Sequence, residues 1–283
     1  MSLIRAFVAV LLASSAAFAA PARFTAPSDE AGRAARKPVV GLIVEFRQTA
    51  PLQTRLGQLR GDLARLDREP RVERTFSRAI FGATIQVRRE HIASIQKLPY
   101  VAAVHLEREF KPLEIAQQRD AIATHARAIA TSGGAGIKVG VIDTGIDYMH
   151  PALGGGFGEG FKVAGGWDFT NNDADPMDDY GHGTHVAGII AANGSGLTGV
   201  APDVSLIAYK VFNGSGGARE SDILAAVERA MDPNGDGDTS DHLDVVNMSL
   251  GGPPEVNDPL VSAVERAIAA GVVFCLSNGN GGD

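Results

Sequence analysis

Two side chains in this sequence have the types and the settings to move a proton together. Asp143 follows the apolar run Val139-Gly140-Val141-Ile142 and precedes Thr144-Gly145. A carboxylate at the carboxyl edge of a strand, followed by a glycine turn, is held rigidly at the mouth of a crevice. His182 stands in Gly181-His182-Gly183-Thr184-His185-Val186-Ala187-Gly188, where it opens a helix and the glycines let another backbone come close. An imidazole oriented by a fixed carboxylate takes up and returns protons near neutral pH. The pair makes two-thirds of an Asp-His-Ser relay. Other chemistry spelled by the same residues fails. Asp143-Thr144-Gly145 occurs once, whereas a protease built on two shared carboxylates needs a second copy. His182 and His185 lack the i,i+4 spacing and the glutamate of a zinc-binding H-E-x-x-H helix.

The elements that must position these residues are legible from periodicity. Continuous apolar runs at 137–142, 204–211, 245–248 and 272–276 predict strands buried on both faces. Helical patterns at 183–192, 220–230 and 259–270 lie between them. This alternation predicts an α/β fold with a doubly wound, mostly parallel sheet over residues 112–283. A smaller unit, 38–111, reads strand (39–46), helix (52–66), strand (71–76), strand (83–87), helix (91–98), strand (101–106). Leu52, Leu56, Leu59 and Leu63 make one apolar helix face. That order is the α+β, ferredoxin-like pattern. It carries no catalytic constellation, and its histidines His91 and His105 read as surface residues. Residues 20–37, rich in Ala, Pro, Arg and Ser, read as a linker. Before them, Arg5, the apolar stretch 6–17 and the triplet Ala17-Phe18-Ala19 have the layout of a secretory signal, 1–19. No apolar run is long enough to predict a membrane span.

The net charge of −7 hides an asymmetry. Residues 20–131 hold 19 Lys and Arg against 12 Asp and Glu, while residues 132–283 hold 6 against 21. A basic unit joined to an acidic one predicts mutual attraction. The acidic part is a poor partner for nucleic acid. The single cysteine, Cys275, sits in an apolar run and reads as a small buried hydrophobe.

Taken in order, VGVIDTGID (139–147), GHGTHVAG (181–188), GVAP (199–202), NMSLGG (247–252) and SNGNGG (277–282) resemble the subtilisin-like serine peptidases, the subtilases. The resemblance implies a polypeptide substrate, Asp143 as catalytic acid and His182 as general base, with His185 packing structurally. It also implies Asn280 as the amide donor of the oxyanion hole, with Asn278 as the alternative register. Ser249, Leu250 and Gly251 match one edge that pairs with substrate backbone, and Ser215 and Gly216 the opposite edge. The unit 38–111 resembles the inhibitor propeptide that precedes such domains, its removal expected somewhere between Lys111 and Thr131. The family's nucleophile lies in a Gly-Thr-Ser-type motif after the oxyanion asparagine, which these 283 residues do not contain. The expectation is a secreted endopeptidase seen without its serine, and therefore inactive as written.

Asp232, Asn234, Asp236 and Asp238 alternate along a loop with glycine at its sixth position, which resembles the start of a calcium loop. Its twelfth position is Leu243 rather than Glu, so the full pattern fails. The acidic run 173–179 reads as a flexible loop. A second reading of the whole chain is a non-catalytic, protease-binding or inhibitory protein built from the same parts.

Overall fold

The computed structural model describes residues 38–66, 71–113, 133–194, 196–253 and 255–277. The leader, the linker and Asn280 lie outside the described residues. Strand β1 (Val39–Phe46), helix α1 (Leu52–Leu66), strands β2 (Arg71–Phe76) and β3 (Gly82–Arg88), short helix α2 (Ile92–Gln96) and strand β4 (Val101–Leu106) come first. The four strands form an antiparallel sheet in the order β2-β3-β1-β4. Strand alternation divides β1 between two cores. Leu42, Val44 and Phe46 pack with Leu56, Leu59 and Leu63 of α1 and Ile95 of α2. Each such leucine, fully buried, contributes about 1.5–3 kcal/mol. Ile43 points the other way and joins Phe76, Ala79 and Ile80 in the core of the following part.

That part begins after strand β5 (Glu109–Pro112). It comprises β6 (Lys138–Asp143), β7 (Val163–Asp168), helix α3 (His182–Ala191), the short β8 (Asn193–Gly194) and β9 (Leu197–Thr198), β10 (Ser205–Lys210), β11 (Ala218–Arg219), α4 (Glu220–Met231), β12 (Val245–Met248), β13 (Leu250–Gly251), α5 (Pro259–Ala270) and β14 (Val273–Leu276). Five strands form a parallel sheet in the order β14-β12-β6-β10-β7. Both faces are covered, as the continuous apolar runs require. Val139, Val141, Leu206 and Ala208 pack on α3, whereas Ile142, Tyr209, Val246 and Met248 pack on α4 and α5. Helix α5 is bounded by an Asp258 cap, whose carboxylate accepts from the Leu260 amide at 2.8 Å, and by Gly271 in the left-handed region. Among the described residues, no helix is long and apolar enough to cross a membrane.

The structure corrects four expectations. Strand β7 is an edge strand that periodicity misses, because Gly165 and Gly166 interrupt its apolar pattern. Cys275 is exposed, because among the described residues β14 is the outermost strand on that side and shows Val273 and Leu276 to solvent as well. His105 is only 7% exposed, since β4 lies against the acidic part of the chain. The run 173–179 is tied into the fold: Asp173 bridges to Asp168, Asp178 caps a helix, and Asp179 pairs with the buried Lys210.

Candidate active site

Strand β6 lies in the middle of the parallel sheet, and its last residue is Asp143. The carboxylate is fully buried. Its Oδ1 accepts from the Thr144 amide at 2.7 Å and lies 2.7 Å from Nδ1 of His182. Helix α3 brings the histidine there as its first residue. Gly181 opens the helix without a side-chain cap of its own, and Asp178 supplies one. Asp178 accepts from the amides of Tyr180 (3.0 Å), Gly181 (2.8 Å) and Thr184 (2.9 Å), and from the hydroxyls of Thr144 (2.9 Å) and Thr184. A carboxylate at a helix N-terminus satisfies free amides and complements the helix dipole. Burial opposes its ionisation, but these donors outweigh burial and hold the carboxyl below its ordinary value. Thr144 closes the link, its hydroxyl accepting from the Gly183 amide at 2.8 Å. The turn after Asp143 and the turn before His182 are thus fastened to one carboxylate. Lys210, opposite Asp143 in the parallel register, donates to the Thr144 carbonyl at 2.8 Å. Neither Asp178 nor Lys210 was singled out by sequence; a helix start lacking its own cap is the signal that would have pointed to Asp178.

His182 has acceptors on both sides. Its Nε2 lies 2.9 Å from the carbonyl oxygen of Leu113. Burial lowers its proton affinity, but the bond and charge of Asp143, the Leu113 carbonyl and the charge of Asp178 together raise it above the ordinary value. The imidazole is therefore the group whose proton affinity is raised, with the Asp143 carboxylate fixed beside its Nδ1.

Leu113 reaches the histidine because β5 runs along the cleft as the central strand of a three-stranded antiparallel sheet, β11-β5-β13. On one side Leu250 pairs with Pro112, Gly251 pairs with Lys111, and the Leu113 amide donates to the Ser249 carbonyl at 2.9 Å. On the other side the partners of Phe110 and Glu109 are Ala218 and Arg219. Ser215 and Gly216 lie just ahead of this ladder, in a turn where Asn213 Oδ1 accepts from the Ser215 and Gly217 amides. Phe110 lines an apolar cavity of about 360 Å³ together with Leu250, Leu260, Val261, Val264 and Leu276. An extended segment clamped this way gains main-chain hydrogen bonds on both flanks and a pocket for an alternate side chain.

The predicted attraction between the two parts takes the form of named pairs. Arg74 meets Asp222 at 2.5 Å, Arg78 meets Asp232 at 2.7 Å, and Arg219 meets Glu107 at 2.9 Å. Glu228 of α4 accepts from the amides of Ser77, Arg78 and Ala79 at 2.8, 3.0 and 2.6 Å.

The loop 232–238, which resembles the start of a calcium loop, is a run of turns closed by its own side chains. Asp232 accepts from the amides of Gly235, Asp236 and Gly237 besides pairing with Arg78. Asn234, Asp236 and Asp238 each accept from the amide two residues on. These bonds set the successive turns of the loop, and among the described residues no group of three or more His, Cys, Asp or Glu is gathered. His185, one turn beyond the site histidine, is exposed rather than packed.

With this geometry the resemblance can be compared with known proteins. A family model described as the subtilase family matches residues 134–283, just over half of the chain. The chain belongs to the subtilase family. It is 39% identical over 196 residues to serine protease AprX of Bacillus subtilis (strain 168), covering 64% of this chain and 42% of that protein. It is 45% identical over 151 residues to subtilisin DY of Bacillus licheniformis, covering 53% of this chain and 49% of that protein. It is also 44% identical over 161 residues to the minor extracellular protease Vpr of Bacillus subtilis (strain 168), covering 53% and 18%. The chain thus spans less than half the length of these relatives.

Proposed function

We propose that the protein is a secreted serine endopeptidase made as a self-inhibited precursor. Residues 1–19 direct export, residues 38–113 form a ferredoxin-like inhibitor propeptide, and the peptidase follows. The observation that carries this reading is the Leu113 carbonyl on Nε2 of His182, with β5 clamped between β11 and β13. A chain held in that way stands as substrate stands, its residues Phe110 to Leu113 leading up to the reacting bond. The bond removed on maturation is Leu113–Glu114.

In the proposed mechanism a serine beyond Asp283 attacks the peptide carbonyl. His182 takes the serine proton as the new C–O bond forms, and Asp143 fixes the ring and stabilises its cation. Asn280 donates to the oxyanion. The tetrahedral intermediate collapses as the C–N bond breaks and His182 returns the proton to the leaving amine. Water then hydrolyses the acyl-enzyme by the same sequence. The exposed apolar edge of β14 supports a sheet that continues with further strands of the peptidase.

The test is expression of the complete reading frame. The wild type should mature to an enzyme whose N-terminus is Glu114, and His182→Ala should accumulate intact precursor without hydrolysing peptides. Maturation at a distant bond, or hydrolysis that survives His182→Ala, would overturn the proposal.

A further inference from the structure

One side chain just upstream of β5 is held far more tightly than docking of a propeptide requires. Arg108 is 10% exposed, and its guanidinium is surrounded by oxygens of the peptidase part. Nε lies 3.1 Å from Oε2 of Glu220, while Nη2 donates to the other oxygen of the same carboxylate. Nη2 also reaches Asp258 Oδ1 at 2.7 Å, Nη1 reaches the Pro253 carbonyl at 2.8 Å, and Nε lies 3.2 Å from Glu255 Oε2. The guanidinium also stacks over the Phe110 ring, 5.1 Å from its centroid.

Two walls of this pocket stand at helix starts. Glu220 is completely buried at the start of α4, and Asp258 is held as the cap of α5. The backbone sets the register: the Glu220 amide donates to the Arg108 carbonyl at 3.0 Å, and the Arg108 amide donates to Glu220 Oε2 at 3.2 Å. Any chain lying in the cleft as β5 does brings its corresponding residue to the same place.

We propose that this pocket is a specificity site of the peptidase, selecting substrates with arginine at the sixth residue before the cleaved bond. The inference rests on the reading that residues 108–113 lie as substrate lies. When the propeptide leaves, Glu220 loses the counter-ion it meets here, and a substrate guanidinium in the same register restores the pair. A side-on, two-point match to one carboxylate with a third donor to a carbonyl is guanidinium geometry; an ammonium offers a single charged point.

The experiment uses matured full-length enzyme and peptides of sequence X-Glu-Phe-Lys-Pro-Leu-Glu with capped ends, X being arginine, lysine, or the neutral isostere citrulline. The arginine peptide should exceed the citrulline peptide in kcat/KM by about tenfold, the scale of a lost charge-assisted contact, with lysine between. Glu220→Gln, and separately Asp258→Asn, should shrink that ratio. Equal cleavage of arginine and citrulline peptides by the wild type would overturn the specificity site, and this comparison stands even if a variant fails to fold. Cleavage of none of the three would instead overturn the peptidase reading beneath it.

Discussion

The backbone of Gly183 packs directly against the side chain of Asp143. A Cβ on Gly183 would lie 3.1 Å from the Asp143 Cβ and 2.1 Å from the Gly145 carbonyl oxygen. The carboxylate and the helix that carries its histidine can meet only because no side chain stands between them. Gly183→Ala should therefore push α3 off the β6 turn. We expect the complete enzyme to lose about 10²-fold in kcat, the cost of misplacing a catalytic group by roughly an ångström. Peptide hydrolysis together with a thermal melt checks this, the activity loss being larger than the change in stability explains.

Asp143 itself should matter through orientation and charge. Asp143→Asn keeps the shape but removes the anion that faces Nδ1 of His182 at 2.7 Å. The expected loss in kcat is about 10⁴-fold, with substrate binding retained. Steady-state kinetics at saturating peptide is the measurement.

If unit 38–113 is the proposed inhibitor, its docking should depend on pH through His105. Its Nε2 lies 3.1 Å from Glu45, and its Nδ1 lies 3.0 Å from Glu255, which also pairs with Arg108. Only a doubly protonated ring can donate to both carboxylates. The bond to Glu45 raises its pKa above 6.5, burial opposes the rise, and Glu255 adds to it. Glu45 belongs to the same sheet as His105 and stays with the ring when the segment leaves, so only the rise due to Glu255 is tied to docking; that share is present at low pH and is lost as pH climbs through the raised value. Inhibition of the mature enzyme by added segment 38–113 should weaken over that rise. His105→Gln should flatten the dependence; a titration of the inhibition constant against pH decides.

Glu228 should anchor the propeptide at a second point. Three consecutive amides, from Ser77 to Ala79, share its carboxylate. Glu228→Ala leaves them without that partner, and a lost hydrogen bond to a charged group costs about 1.5–3 kcal/mol. The inhibition constant of segment 38–113 should rise roughly tenfold to a hundredfold, with the peptidase activity of the mature enzyme retained.

Much of this architecture is written locally. Val139, Val141 and Ile142 announce a strand buried on both faces, and the leucines of α1 announce a helix with one buried face, because side-chain period reports directly on burial. The motifs around Asp143 and His182 are local too, since a glycine turn and a helix start are decided within a few residues. The difference in charge between the two halves foretold their attraction. The motifs also paired Asp143 with His182, which bond across 39 residues; what sequence could not specify is the carbonyl 69 residues away on the other side of the ring. No periodicity encodes such distances; the path of the chain through two sheets does. The same path buried His105, left Cys275 exposed, laid Ala218 and Arg219 beside β5, and closed three carboxylates around Arg108. Local pattern decided which surfaces must be buried, and tertiary packing decided against what.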